Sequence, residues 1–227
     1  MLIDDKHAWS DELIEAILLR VSLEGWSDKA LKMGASDINL SPADLAELFP
    51  NGPNDAIRYF SNWADQKMVE EIEISDISGL RISEKISFSA KTRLAILQPY
   101  REAVRRTTSI LMAPNNALLS MKLIYESVDC IWYTVGDRSS DFSFYTKRGL
   151  LAGVLGSTTI FWLTDDSENS EETMSFLDRR IDDVMRLHRT RENLVRLRFR
   201  ARKAFEIFGD VLKSRYARPS KGNSRVT

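Results

Sequence analysis

Apolar side chains in this 227-residue chain return every three or four positions along nearly its whole length, and proline and glycine fall mostly between those runs. That period stacks them on one face of a helix and does not suit the two-residue alternation of a half-buried strand, so the chain is expected to be all-α. Leu13, Ile14, Ile17, Leu18 and Val21 make the first such face. Ser10 is its predicted N-cap, with Trp9 placed to pack on Ile14, and Gly25 is its stop. Ser27 opens a short second helix expected to end near Gly34, and Ser41-Pro42 opens a third through Leu45, Leu48 and Phe49. After the turn Pro50-Asn51-Gly52-Pro53, a longer helix from Asn54 carries Ile57, Phe60, Ala64, Met68 and Ile72 on one face. Ile74 to Ser83 reads as a linker. Beyond it, helices are expected up to Pro99, from Arg101 to Met112, over 117–135, over about 141–163 and over 171–188, with a polar loop from Gly136 to Ser140.

Charge is distributed far from evenly. The formal net charge is −1, yet residues 186–227 carry thirteen Lys or Arg against three acidic side chains, Glu192, Glu206 and Asp210. Residues 1–60 carry eleven acidic side chains against five basic ones. A basic end on an acidic body points to an anionic partner for the end alone. The single Cys130 excludes an internal disulfide framework and suits a reducing compartment. The N-terminus, Met-Leu-Ile-Asp-Asp, has neither the pattern of a signal peptide nor that of a transit peptide, so a bacterial cytoplasmic chain is expected.

Residue types that carry catalysis are sparse. His7 and His188 stand alone, no paired Cys spacing occurs and no Glu-x-x-His is present, so neither a metal nor a cofactor is expected. Ten scattered glycines make no phosphate loop. Arg179, Arg180, Asp182 and Asp183 read as a solvated polar face with ion pairs along the helix. The chain is therefore not expected to be an enzyme.

Two helices carry stronger signals. The run from Gly149 to Leu163 is too short to span a membrane comfortably and too apolar to face water, which predicts burial. Gly149, Gly153 and Gly156 fall on neighbouring faces of it, where they either admit a close helix neighbour or leave a groove for a ligand. Near the C-terminus, Leu194, Leu197, Ala201, Phe205, Phe208 and Leu212 share a face, while Arg196, Arg198, Arg200, Arg202, Lys203 and Lys213 crowd the rest. A cationic helix with Phe on its apolar face fits an anionic membrane surface; packing on the acidic body, or on another helix, is the alternative.

Three short helices ahead of a larger helical body resemble the layout of TetR-type regulators, which makes ligand-responsive DNA binding the rival function. Charge argues against it. The segment that would enter the groove, about 42–49, holds Asp44 and Glu47 and no Lys or Arg, whereas phosphate neutralisation supplies most non-specific DNA affinity.

A closer resemblance rests on longer motifs. Asp129-Cys130-Ile131-Trp132-Tyr133 with Gly136-Asp137, then Ser140-Asp141-Phe142-Ser143-Phe144-Tyr145-Thr146-Lys147-Arg148, resembles the signature of the ninth coenzyme Q protein family. So do Ser109-Ile110-Leu111-Met112 with Pro114-Asn115, and Phe176-Leu177-Asp178-Arg179-Arg180-Ile181. The resemblance implies a TetR-like fold that no longer binds DNA, a homodimer and a non-enzymatic accessory role in ubiquinone biosynthesis. It also implies an apolar pocket for isoprenoid quinone-type lipid, a membrane-binding C-terminal helix and a di-iron demethoxyubiquinone hydroxylase as partner. The partner patch falls on Ile131, Asp141, Phe144 and Tyr145, where Ile131 and Phe144 replace Met and Trp of the familiar pattern.

The expected organisation is a helix-turn-helix-like part at 1–76, a lipid-binding body at 80–190 and a basic amphipathic helix and tail at 191–227. The pocket is placed between helices 117–135 and 141–163, on Leu123, Val128, Leu151, Gly153, Val154, Gly156 and Phe161. Membrane contact is assigned to Leu197, Arg198, Arg202, Phe205, Phe208 and Leu212, with the chain peripheral on the inner face of a bacterial membrane.

Overall fold

The computed structural model describes the backbone of residues 4–136 and 142–186 and the side chains of 11–136 and 144–186. Those residues form α1 (Asp4–Glu24), α2 (Asp28–Asp37), α3 (Pro42–Leu48), α4 (Pro53–Ile74), α5 (Ile82–Leu97), α6 (Arg101–Leu111), α7 (Ala117–Thr134), α8 (Phe142–Trp162) and α9 (171–186). No strand occurs among the described residues, and the all-α expectation holds.

Local chemistry explains the boundaries. Ser27 Oγ accepts from the Ala30 amide at 3.2 Å, and Ser41 Oγ from the Asp44 amide at 3.2 Å, so each hydroxyl satisfies an amide that a helix start leaves without an intrahelical partner. Pro42 and Pro53 sit at first helical positions, where a missing N–H costs nothing. Gly25 ends α1 with φ +67°, and Gly52 precedes α4 with φ +59°.

Two of the expected ends move. Helix α1 begins at Asp4, so Ser10 lies inside it rather than capping it. Helix α2 runs past Gly34 to Asp37, because this glycine is a contact and not a stop. A Cβ on Gly34 would lie 2.8 Å from the Ile17 amide nitrogen and 2.9 Å from its Cα, so α1 crosses α2 at backbone distance there.

The buried apolar cluster runs from Leu13 through Trp26, Phe60, Trp63 and Leu97 to Trp162 and Leu163, across the 74–83 connection. Helix α4 packs on α5 and α7, so residues on both sides of that connection share one core. Trp26 Nε1 donates to the Ala103 carbonyl at 3.3 Å, and its ring meets Phe60, which stacks on Trp63. A compact unit closes at Val184; the second begins at Met185 and lies almost wholly outside the described residues. The expected loop at 137–140, Asp141 and the 191–227 helix with Leu197, Arg198, Arg202, Phe205, Phe208 and Leu212 also lie outside them.

The end of α8 is fixed by a neighbour. Its last carbonyls lack intrahelical donors, and no basic residue stands in its last turn. Arg101 Nη2 donates to the Trp162 and Asp165 carbonyls, and Arg105 Nη2 to that of Leu163 at 2.7 Å, both from α6. Trp162 Nε1 donates to Gln98 at 3.0 Å. Asp165 itself turns the chain into α9: its carboxylate accepts from the Ser167 amide at 2.8 Å, the Thr173 amide at 2.9 Å and the Thr173 hydroxyl. Phe161 stacks on Phe176 at 4.8 Å, and Asp178 of α9 binds Ser87 and Lys91 of α5. Arg180 pairs with Asp183 at 2.9 Å on the exposed face of α9, as its spacing suggests.

Two outcomes follow from this packing. Gly34→Ala should destabilise the protein by about 1–3 kcal/mol despite alanine's better helix propensity, because the methyl group meets backbone; a denaturant midpoint at or above the parent's would refute the close crossing. Hydrogen bonds from Ser167 and Thr173 hold the Asp165 carboxyl well below the usual carboxylate range. Its folded pKa is depressed, so its contribution is complete above the unfolded value of about 4 and is lost as pH falls towards the folded one. Asp165→Asn should therefore lower Tm at neutral pH, with the gap to the parent narrowing in scans below about pH 4.

Candidate functional site

Helices α4, α5, α6, α7 and α8 enclose a cavity of about 220 Å³. Its walls are mainly aliphatic and aromatic: Phe60 on α4, Leu97 on α5, Val104 and Leu111 on α6, Leu123 and Ile124 on α7, Leu155 on α8. Helices α7 and α8 run antiparallel, since Asp129 meets Arg148 at 2.6 Å while Ile124 sits beside Gly156. A Cβ on Gly156 would stand 3.3 Å from Ile124 Cδ1, so this glycine thins the wall next to the space. The periodicity of the chain gives each helix an apolar face; enclosing the space needs five of them.

One end of the cavity is polar. Arg93 Nε donates to Asp65 Oδ1 at 2.6 Å, and its Nη2 reaches Ser61 Oγ at 3.4 Å and Ser127 Oγ at 3.3 Å. Ser127 Oγ donates to Asp65 Oδ2 at 2.7 Å. Asp65 is almost fully buried and Arg93 largely so, which makes the pair a neutral unit in a low-dielectric setting. At the other end, Met112 is 71% exposed and Ile160 50%, so the space opens to solvent past apolar side chains. Leu118 and Met121, also exposed, stand on that half of α7.

The sequence-assigned lining residues divide in this geometry. Leu123 and Gly156 border the cavity. Val128, Leu151 and Val154 are buried side chains away from its wall, and Phe161 lies half-buried on Phe176. Gly153 is exposed, with nothing within 4 Å of where its Cβ would be, and faces away from the space. The contributions of α4, α5 and α6 were not legible in the apolar pattern of helices 117–135 and 141–163. Asp65 and Arg93, charges set within otherwise apolar helix faces, were the available signal.

The signature segment divides too. Tyr145 is 71% exposed and packs edge-on against Phe144, with ring centroids 5.1 Å apart. The Arg148 guanidinium lies 3.4 Å from the Phe144 ring centroid while bonded to Asp129, so the pair of rings is braced from beneath. Ile131 is completely buried and stands behind the surface, where it can shape a contact but not make one. Tyr133, near the end of α7, is exposed like Tyr145. Burial pushes the Cys130 thiol up to about 11, leaving it a poor nucleophile at neutral pH. Among the described residues no group of His, Cys, Asp and Glu could hold a metal ion, and no helix is long and apolar enough to cross a membrane.

Residues 117–188, which include α7, α8 and the signature segment, match the COQ9 family model. The chain is 32% identical over 193 residues to the ubiquinone biosynthesis protein COQ9, mitochondrial, of Rattus norvegicus, covering 80% of this chain and 62% of that protein. The Homo sapiens counterpart is 30% identical, over 80% of this chain and 60% of that one. The chain thus spans about three-fifths of the length of these curated relatives. Among solved structures, that of a TetR transcriptional regulator from Nitrosomonas europaea superposes with a TM-score of 0.62 at 18% identity, over 77% of this chain and 97% of that one. At that identity the likeness concerns the fold alone.

Proposed function

From the match of residues 117–188 to the COQ9 family model and the similarity to COQ9 proteins, we propose that this chain is a member of that family, a non-enzymatic accessory protein of ubiquinone biosynthesis which takes an isoprenoid quinone-type lipid into the five-helix cavity and presents it to the demethoxyubiquinone hydroxylase. The observation that carries this reading is the cavity itself: apolar walls, one polar end and a mouth edged by exposed apolar side chains. Such a space takes one end of a lipid. Its 220 Å³ is below the roughly 300–1,000 Å³ of sites that enclose a whole drug-sized ligand, so the remainder of the molecule lies outside, over Met112 and Ile160.

DNA regulation is the weaker reading. Helix α3 presents Asp44 and Glu47 without a basic side chain, and an acidic surface repels phosphate. The basic amphipathic segment 191–227 supports contact with an anionic membrane on composition alone, each Lys or Arg near such a surface adding about 1 kcal/mol. Tyr145, exposed and braced by Phe144, supports a partner surface at the start of α8.

Two variants separate pocket from packing. Gly156→Leu should extend side-chain atoms into the cavity and reduce co-purifying isoprenoid lipid, measured by native mass spectrometry and lipid extraction, about tenfold or more, the equivalent of 1.4 kcal/mol or more. Gly153→Leu, on the outer face, should leave lipid content unchanged. Equal lipid content in the two variants, or no isoprenoid lipid in the parent, would remove the cavity from the function. Tyr145→Lys should weaken binding to the hydroxylase by about 1–2 kcal/mol, as loss of a central aromatic contact does, while Tm and lipid content hold. Undiminished affinity in a pull-down titration would move the partner surface elsewhere.

A further inference from the structure

The cavity's two ends differ in a way that sets the direction of its occupant. Asp65 occupies Arg93 Nε, and the serines share Nη2; among the described residues Nη1 has no hydrogen-bond acceptor, and Arg93 lines the space. Asp65 also cancels the charge of Arg93, so the polar end offers donors without net charge. A neutral oxygen is matched there; a phosphate, bringing its own charge into a low-dielectric pocket, is not. Thr107 lines the α6 wall, and its Oγ1 is buried without a hydrogen-bond partner among the described residues.

Distance agrees with this polarity. Ser127 marks the polar end and Ser120 the mouth, both on α7, and seven residues of helix span about 10 Å. That is room for an oxygenated ring and the beginning of its tail. At the mouth the described lining residues Met112, Ser120 and Ile160 carry no charge, so none of them anchors an anionic head group left outside.

We propose that the lipid enters head first: a neutral carbonyl or hydroxyl oxygen of its ring accepts from Arg93 Nη1 at the inner end, and the isoprenoid tail leaves across Met112 and Ile160. This rests on the cavity being the lipid site. It makes Arg93 a specificity determinant for neutral oxygenated prenyl lipids, and it keeps the ring shielded from water until the α6–α8 mouth releases it.

The test is a titration of the full-length protein, stripped of lipid, with decylubiquinone, farnesene and farnesyl phosphate, read by isothermal calorimetry. The parent should bind the quinone about tenfold tighter than the hydrocarbon, a difference of about 1.4 kcal/mol, and also tighter than the phosphate. Arg93→Lys, which keeps a cation beside Asp65 but loses the Nη1 donors, should bring quinone affinity to within about threefold of the hydrocarbon's, or about 0.7 kcal/mol, with hydrocarbon affinity unchanged. Thr107→Val removes a hydroxyl without a hydrogen-bond partner among the described residues; it should weaken the quinone alone, and it decides the matter if Arg93→Lys does not fold. Equal affinity of the parent for quinone and hydrocarbon would overturn the head-first orientation while leaving a lipid pocket in place. Tightest binding of the phosphate would overturn the neutral-oxygen assignment. Failure of all three ligands to bind would overturn both this orientation and the lipid reading it rests on.

Discussion

The buried pair of Asp65 and Arg93 is the constraint around which the cavity is organised. Removing a carboxylate and a guanidinium from water costs several kcal/mol for each, and the pair persists only where geometry and further hydrogen bonds compensate. Here the compensation comes from three helices at once: Asp65 and Ser61 on α4, Arg93 on α5, Ser127 on α7. A shift of any one of them along its axis would strand a buried polar atom, which costs more than an imperfect apolar contact. Apolar side chains alone tend to close such a space, since interiors pack at crystal density. A polar floor fixed in register resists that closure.

The other half of the frame is held through backbone. Helix α8 brings no cation of its own to its C-terminal carbonyls, and α6 supplies Arg101 and Arg105 instead. Those arginines grip carbonyls, with Arg101 also over the Trp162 ring, and so fix where α8 ends. Asp165 then turns the chain immediately into α9, whose Phe176 and Asp178 return to α8 and α5. The mouth of the cavity lies between elements pinned in this way, with Met112 just beyond α6 and Ile160 two residues before the end of α8.

The N-terminal helices separate what packing requires from what the surface carries. Gly34 against Ile17 and the serine caps preserve the close crossing of α1 and α2 and the start of α3, which are requirements of packing. Nothing in those requirements concerns surface charge. Aspartate and glutamate on α3 are therefore compatible with a TetR-like architecture and incompatible with strong phosphate contact.

The sequence by itself determined the helices, most of their ends, the resemblance to the COQ9 family and the sparseness of catalytic residues, because each depends on neighbours within a turn or on contiguous motifs. Ser27, Ser41, Pro53 and Gly25 act within four residues of themselves, and periodicity named Ile57, Phe60 and Met68 as buried. Tertiary structure decided what those faces enclose. It turned Gly34 from a stop into a crossing and sent Gly153 outward while Gly156 faces Ile124. It withdrew Ile131 from the surface that keeps Tyr145, and joined Asp65 to Arg93 across 28 positions of chain. A helical period of 3.6 residues fixes which side chains share a face but not the angle at which that face meets another helix. A cavity bounded by five helices is the sum of such angles, and that is why two charges within apolar faces, Asp65 and Arg93, could not be read as its polar end from the sequence.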